Sequence, residues 1–284
     1  MLIILALMWG GSFTFIKIAL AEISPLTIAA GRIALAAIVL SAIAIYRNEL
    51  LPTEKSVWFK LLGMALLGNA FPFFLIGWGE HTVDSGMTAV LMSVVPLTVP
   101  IMAHFMTDDE KLSPYMVAGI VIGFAGLLVL VGPSALTGLG NDLISQGAIV
   151  LAALCYGGAS MFARHLSHVP FMVVAACSMT MAAILMVPVS LIIDQPWTFT
   201  PGLRELGAVI YLGLFPTALA NILLLQVINT SGVSFLALNN YLVPVFGVGI
   251  AALTLGEQVP AEMLSALGII FVGIFVSNMK RKSG

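Results

Sequence analysis

Long apolar stretches separated by short polar breaks are the feature of this sequence that most limits its fold. A helix needs about 20 apolar residues to cross the hydrocarbon core of a bilayer. The breaks are too short to hold a soluble domain. We therefore predict an all-α integral membrane protein with ten transmembrane helices, at residues 2–21, 26–46, 58–79, 84–106, 114–132, 145–164, 170–193, 204–227, 231–253 and 261–279.

The scarcity of charge supports a lipid environment. Only 8% of the residues are charged and 60% are hydrophobic, whereas soluble domains carry about 25% charged residues. A net charge of -2 leaves no basic face for nucleic acid,. The two cysteines, Cys155 and Cys177, lie in apolar stretches and show no metal-ligand spacing,. We expect neither a metal nor a cofactor.

The two halves of the sequence resemble each other. Residues 7–17 align with residues 154–164 at an offset of 147, which pairs an aromatic-Gly-Gly run at Trp9 with one at Tyr156. Five further matches follow in order: Pro25 with Pro170, Gly68 and Phe71-Pro72 with Gly213 and Phe215-Pro216, Ser85-Gly86 with Ser231-Gly232, Val95-Pro96 with Val243-Pro244, and Glu110 with Glu257. Five helices per half is an odd number, so the second half enters the membrane from the opposite side. We predict two inverted-topology repeats, at residues 1–135 and 144–284, in one membrane domain, a common construction of transporters.

The distribution of lysine and arginine predicts the orientation, because these residues concentrate on the cytoplasmic side. With both termini in the cytoplasm, eight of the eleven fall inside. These are Arg47, Lys55, Lys60, Lys111, Arg164, Lys280, Arg281 and Lys282. The other three, Lys17, Arg32 and Arg204, fall outside.

Polar side chains near the middle of a membrane helix are costly and therefore point to function. We take seven of them as candidate substrate-binding residues: Ser12, Asn69, Ser93, Ser160, Asn221, Asn239 and Asn240. The alternative is interhelical hydrogen bonding, worth about 0.6–2 kcal/mol per bond. Adjacent amides lie about 100° apart on a helix, so we expect only one of Asn239 and Asn240 to face a central cavity.

Aromatic residues and prolines complete the candidate site. An aromatic substrate would gain about 0.5–1.5 kcal/mol from each ring contact, and the candidates are Trp9, Phe13, Phe71, Trp78, Tyr156 and Tyr241. Trp78 also fits an interfacial belt. Prolines loosen a helical turn, and Pro72, Pro96, Pro216 and Pro244 are candidates for gating kinks, the alternative being kinks that only shape packing.

Few ionisable residues fall within the predicted helices. Lys17, Arg32, Glu80, His81 and Asp84 all fall toward the outer side. We favour a charged rim, the alternatives being that these residues pair with one another or attract zwitterions. No acidic residue is predicted at mid-span, so a buried carboxylate relay for protons is not expected. We predict facilitated diffusion or weak coupling.

Three patterns together resemble the drug/metabolite transporter superfamily, in its ten-helix EamA branch. They are the aromatic-Gly-Gly runs, the Pro-to-Glu spacing of Pro96 to Glu110 and Pro244 to Glu257, and the glycines of the last helix of each half, Gly119, Gly123 and Gly126, then Gly268 and Gly273. The Gly119-xxx-Gly123 spacing permits close helix approach, which we assign to packing within the chain.

The chain is most similar to the bacterial aromatic amino acid exporters of that superfamily. The resemblance implies export of small metabolites, including aromatic amino acids, by alternating access through a central cavity. It also implies a multi-pass protein of the bacterial inner membrane with both termini cytoplasmic. The expected partners are a small-molecule substrate and the lipid bilayer, and the two repeats suffice for a monomer.

Other functions fit less well. A carrier for sugar- or drug-like metabolites of the same superfamily stays open. A nucleotide-sugar would demand several cations inside the cavity, and Lys17 and Arg32 are too few. An intramembrane enzyme needs a nucleophile with a base, or metal ligands, yet the sequence holds no HExxH or GxSxG motif. We therefore expect a protein that is not an enzyme.

Overall fold

The computed structural model of the chain describes residues 1–106, 112–131, 141–231, 236 and 238–279. Glu110, Lys111, Gly232 and Lys280, Arg281 and Lys282 lie outside these residues. Within the described ranges the fold is all-α, as predicted. Ten helices, α1–α10, occupy Leu2–Ala19, Pro25–Tyr46, Lys55–Gly79, Ser85–Met92 with Val95–Met106, Pro114–Leu130, Asn141–Arg164, Phe171–Ile193, Leu203–Ser231, Asn239–Leu255 and Ala261–Asn278.

The ten helices in the described part of the chain agree with the predicted number of membrane helices. Eight are long and apolar enough to cross a bilayer, and α5 and α9 are shorter apolar helices. A short 3-10 helix, Pro196–Thr198, lies between α7 and α8. The fourth helix, α4, is interrupted by a turn at Ser93 and Val94.

Helix packing follows the internal repeat. Helix α1 packs against α8 and α9, and its counterpart α6 packs against α3 and α4. Helix α2 packs against its own counterpart α7, and α5 against α10. Exchanging every helix for the one five places along leaves these pairings unchanged. The structure therefore consists of two repeats related by a pseudo-two-fold operation, and their odd helix number makes the topology inverted.

The repeat extends to the hydrogen bonding of α3 and α8. Each contains a π-helical segment, Leu66–Ala70 in α3 and Leu214–Leu219 in α8. Pro216 has no N–H for the carbonyl of Leu212 four residues earlier, and the hydroxyl of Thr217 donates to that carbonyl at 2.7 Å. Within the π-helical segment of α3, the amide of Asn69 donates to the carbonyl of Met64 at 3.2 Å. Polar side chains thus satisfy carbonyls where the helical ladder is disturbed.

The bundle has two ends, named here by a residue at each. The Met1 end holds Met1 and the connections at 47–54 and 165–170. The Glu257 end holds the connections at 20–24, 80–84, 194–202 and 256–260. Each connection is short, so consecutive helices run in opposite directions.

Glycines bring α5 and α10 into backbone contact. A Cβ added to Gly273 would lie 2.6 Å from the carbonyl oxygen of Gly119 and 2.6 Å from the backbone nitrogen of Gly123. The Gly119-xxx-Gly123 face therefore serves packing within the chain, as expected. By contrast, a Cβ on Gly268, on the exposed side of α10, would meet nothing within 4 Å.

Replacing Gly273 by alanine should separate α5 from α10. Because backbone atoms cannot move aside as a side chain can, the expected loss of stability is that of an overpacked interior, about 1–3 kcal/mol. Thermal unfolding in detergent, followed by tryptophan fluorescence, measures it. Gly268→Ala makes the same chemical change on the same helix and should unfold at or above the wild-type temperature, because alanine favours the helix more than glycine does. Equal unfolding temperatures for the two variants would contradict this account of the α5–α10 contact.

Candidate functional site

A cavity of about 460 Å³ lies between the two repeats. Its walls come from α1–α4 of the first repeat and α6–α9 of the second. This volume falls within the range of cavities that bind small molecules, about 300–1,000 Å³. The cavity collects most of the predicted site residues: Trp9, Ser12, Phe13, Asn69, Ser93, Tyr156, Ser160, Asn221, Asn239 and Asn240, together with Pro96, Pro216 and Pro244.

Four predicted residues lie elsewhere. Phe71 and Trp78 are 47% and 40% exposed on the surface of the bundle, where Trp78 fits the interfacial alternative. Tyr241 packs edge-to-face on Phe271, with ring centroids 5.2 Å apart. Pro72 is buried in α3 but does not line the cavity. A helical pattern places residues on a helix without deciding which side faces the cavity.

The expectation that only one of the two adjacent amides faces the cavity is wrong. Asn239 and Asn240 both line it, because they form the first turn of α9 and the cavity extends around that turn. Asn239 is buried, and within the described part of the chain its Oδ1 has no hydrogen-bond partner. An unpaired buried acceptor is costly, so Oδ1 is available to a donor in the cavity.

The serines of the cavity bond to their own helices. Ser12 donates to the carbonyl of Trp9 and Ser160 to that of Gly157, both at 2.6 Å. Trp9 makes a different contact, since its indole Nε1 donates across the repeats to the carbonyl of Pro216 at 3.0 Å. The indole therefore links α1 to the π-helical segment of α8.

Arg32 is a cavity residue, so its predicted place on the outer rim is wrong. It stands eight residues into α2, about 10 Å from the helix start, and only 4% of it is exposed. Its Nε and one terminal nitrogen donate to the hydroxyl of Thr217 at 3.2 and 3.0 Å, and its guanidinium lies 3.8 Å from the centre of the Phe73 ring. The start of α2 was a usable signal, since Ser24 caps the helix and Pro25 opens it.

Arg32 brings a positive charge to the cavity wall that no nearby carboxylate in the described ranges neutralises. A guanidinium has five N–H donors, and none of the carboxylates in the described ranges lies within ion-pair distance of it. The described lining residues contribute no other charged side chain. The cavity is thus an apolar and aromatic chamber with one positive group and several amides.

Three carboxylates hold the repeats together at the Glu257 end. Glu22 accepts from the backbone N–H of Gly202 at 2.6 Å, and Asp194 accepts from the hydroxyls of Ser24 and Thr27. The carboxylate of Glu257 accepts from the backbone N–H and hydroxyl of Ser85 at 3.0 and 2.7 Å, and from the N–H of Gly86 at 2.8 Å. A carboxylate at the start of α4 also complements the helix dipole.

These contacts close one end of the cavity. The lining runs from Ala163 and Phe171, next to the Met1 end, to Ile16 and Ile76. Beyond Ile16 and Ile76 lie Lys17, Glu80 and the cross-repeat carboxylates. In the sequence, Glu257 stands out only as a repeat match and through its spacing from Pro244, because hydrogen bonding to another repeat leaves no local pattern.

Glu80 is the second residue that was predicted to lie on a charged rim and is buried instead. Its side chain is fully buried, and neither carboxyl oxygen has a hydrogen-bond partner in the described structure. Burial raises the pKa of Glu80 well above its usual range, against the opposing effect of Lys17. The ammonium of Lys17 donates instead to the backbone carbonyls of Glu80 and Val83, at 2.7 and 2.9 Å. His81 and Asp84 are exposed, as a rim requires.

No group of three His, Cys, Asp or Glu side chains converges to hold a metal within the ranges that the structure describes.

Comparison with known proteins identifies related sequences over nearly the whole chain. The EamA-like transporter family matches residues 1–132 and 144–279. The uncharacterized transporter YoaV of Bacillus subtilis (strain 168) is 26% identical over 282 residues, covering 98% of this chain and 95% of YoaV. The uncharacterized inner membrane transporter YedA of Escherichia coli (strain K12) is 28% identical over 277 residues, covering 96% and 86%.

The fold also matches a solved structure. A crystal structure superposes with a TM-score of 0.70 at 22% sequence identity, covering 97% of this chain and 94% of that one. This likeness concerns the fold alone.

Thr217→Val should destabilise the site, because the hydroxyl serves both the carbonyl of Leu212 and the guanidinium of Arg32. Loss of hydrogen bonds in a membrane interior predicts a decrease of about 1–2 kcal/mol in unfolding free energy. A thermal unfolding midpoint in detergent measures the change. Thr254→Val is the matched control, since the Thr254 hydroxyl bonds to the carbonyl of Ile250 on an exposed face of α9. If both variants unfold alike, Thr217 has no special role in the site.

Proposed function

This chain belongs to the EamA-like transporter family, and on that premise we propose that it exports amino acids, including aromatic ones, by alternating access. It is a multi-pass membrane transporter. The finer proposal depends on the chemistry of the cavity between the repeats.

Arg32 is the observation that carries the proposal. Its buried guanidinium lines the cavity without a carboxylate partner among the described residues, and a guanidinium pairs well with a carboxylate through two parallel hydrogen bonds,. The unpaired Oδ1 of Asn239 offers an acceptor to an ammonium group. Trp9, Phe13 and Phe73 supply aromatic walls. Together these groups suit a zwitterion with an apolar or aromatic side chain.

Other classes of substrate match the charge of the cavity less well. A neutral sugar-like or drug-like molecule would leave Arg32 unpaired, so we rank such carriers second. A nucleotide-sugar would bring several negative charges against one arginine. For an enzyme, the described lining residues offer no histidine, lysine, cysteine or acid to act as nucleophile or base,.

Alternating access is supported by the uneven closure of the cavity. Cross-repeat hydrogen bonds hold the Glu257 end together, while the cavity reaches the Met1 end. Rocking of one repeat against the other would break the first set of contacts and open the Glu257 end.

The membrane placement is part of the proposal. The excess of lysine and arginine supports an orientation with the Met1 end and both termini in the cytoplasm and the Glu257 end outside,. We assign the protein to a bacterial inner membrane, consistent with the name of YedA. One chain supplies both halves of the cavity, so a monomer suffices, with substrate and lipid as its partners.

Ligand stabilisation tests the role of Arg32. Phenylalanine should raise the unfolding temperature of the purified protein, because a ligand at 100 times its Kd adds about 2.7 kcal/mol. Phenylalaninamide lacks the carboxylate and should not. Arg32→Gln should abolish the phenylalanine effect, whereas Arg204→Gln, on an exposed arginine, should retain it.

Two results would overturn this substrate class. One is equal stabilisation by phenylalanine and its amide. The other is stabilisation by sugars or nucleotides in a screen where amino acids have no effect.

Transport measurements test the cavity walls. Trp9→Ala and Asn240→Ala should each slow phenylalanine efflux from loaded proteoliposomes about fivefold at subsaturating substrate, equivalent to about 1 kcal/mol of lost contact. Trp197→Ala and Asn229→Ala remove the same residue types from exposed positions and should leave efflux unchanged. Wild-type efflux in both cavity variants would place the substrate path elsewhere.

A further inference from the structure

Glu80 differs from the other carboxylates at the same end of the bundle. Glu257 receives three hydrogen bonds at the start of α4, which suit an ionised group. Glu80 is fully buried, and both of its carboxyl oxygens lack a hydrogen-bond donor in the described structure. The group lies one helical turn beyond Ile76, which lines the deepest part of the cavity.

The charged groups around Glu80 come from three other parts of the fold. Lys17 of α1 and Arg32 of α2 attract a negative charge there, and Glu257 repels it. From α4, Thr88 also favours the ionised carboxylate, but its hydroxyl donates to the carbonyl of Asp84 at 3.1 Å and not to Glu80. Helix α6 packs beside Gly79 through Ser145 and Ile149 and contributes no charged residue between positions 143 and 163.

Neither nearby cation forms an ion pair with this carboxyl group. The Lys17 ammonium is held by two backbone carbonyls, and the Arg32 guanidinium by Thr217 and the Phe73 ring. An ionised carboxylate that is buried without donors is strongly disfavoured, and a bound proton removes that cost. The raised pKa of Glu80 agrees with this arrangement.

We propose that Glu80 is a proton-binding site, with its carboxyl group protonated while the Glu257 end is closed and ionised once that end opens. The inference rests on the transport function proposed above. On opening, water reaches the carboxyl group, the O–H bond breaks, and the proton passes to that water. The carboxylate left behind is hydrated and adjoins Lys17.

The direction of the pH effect follows from linkage. The closed arrangement binds the proton more tightly than the open one, so a falling pH favours closure and a rising pH favours opening. Each return from the open to the closed state therefore takes up one proton from the Glu257 side. This assigns proton binding to a transporter for which the sequence predicts facilitated diffusion or weak coupling.

Thiol labelling measures the opening without any substrate. Val248 is buried opposite Gly86, with its Cα 3.7 Å from the position that a Cβ at Gly86 would take. A Val248→Cys reporter in a Cys155→Ala, Cys177→Ala background becomes accessible to a maleimide when α9 leaves α4. Rates in nanodiscs are divided by those of an exposed Thr200→Cys reporter, which cancels the intrinsic effect of pH on thiol reactivity.

The normalised rate should rise about tenfold for each pH unit between the two pKa values of Glu80. Glu80→Gln, which mimics the protonated group, should keep the rate low at every pH. Asp84→Asn removes an exposed carboxylate from the same connection and should preserve the rise. A flat profile in the wild type, or an unchanged rise in Glu80→Gln, would overturn the proposal.

Infrared difference spectroscopy between low and high pH gives a second readout on the full-length protein. The carbonyl band of a protonated, buried carboxyl group should disappear as the pH rises in the wild type and be missing in Glu80→Gln. A band that persists in Glu80→Gln would assign the proton to another group. Failure of phenylalanine to bind would refute the proposed substrate and leave both of these measurements intact.

Discussion

A membrane interior offers no water to the backbone, and the rest of this structure depends on that constraint. It explains why the described membrane segments are helical and why polar side chains accompany the π-helical segments of α3 and α8. Thr217 satisfies a carbonyl that Pro216 leaves without a donor and, through the same hydroxyl, holds Arg32. The residue that compensates the helix disturbance in α8 therefore also positions a charged residue of the cavity. In α3, Asn69 satisfies the carbonyl of Met64 within the π-helical segment.

The few charges are distributed according to the same constraint. Arg32 is stabilised by a ring and a hydroxyl, and Glu257 by the start of a helix. Glu80 has neither kind of partner, which makes its charge state sensitive to whether water reaches it. A transporter exposes its interior to water on one side at a time, so such a group responds to the conformational cycle. Glu110, the repeat counterpart of Glu257, lies outside the described residues.

Much of the fold and part of the site followed from sequence patterns, for different reasons. The number of helices follows from hydropathy, and the duplication follows from the matched residues of the two halves. Both are read directly along the amino-acid sequence. Cavity residues such as Trp9, Asn69 and Asn221 were predicted because polar or aromatic residues at mid-span need a partner. Phe71 and Tyr241 are also aromatic residues on predicted membrane helices, yet they lie outside the cavity. The sequence does not fix how a helix is rotated about its axis.

The sequence by itself determined a membrane protein of two inverted five-helix repeats. In lipid, the backbone hydrogen bonds of each apolar segment must be made within the segment, which favours helices. A repeat with an odd number of helices must be followed by one of inverted orientation. Only the tertiary structure decided which charges are buried. Arg32 and Glu80 resemble rim residues when depth is read from the sequence, but neighbouring helices cover them. Burial depends on side chains from α1, α4, α6 and α8 that are remote in the chain. Their contacts, rather than distance from a helix end, place one charge in the cavity wall and leave another without a partner.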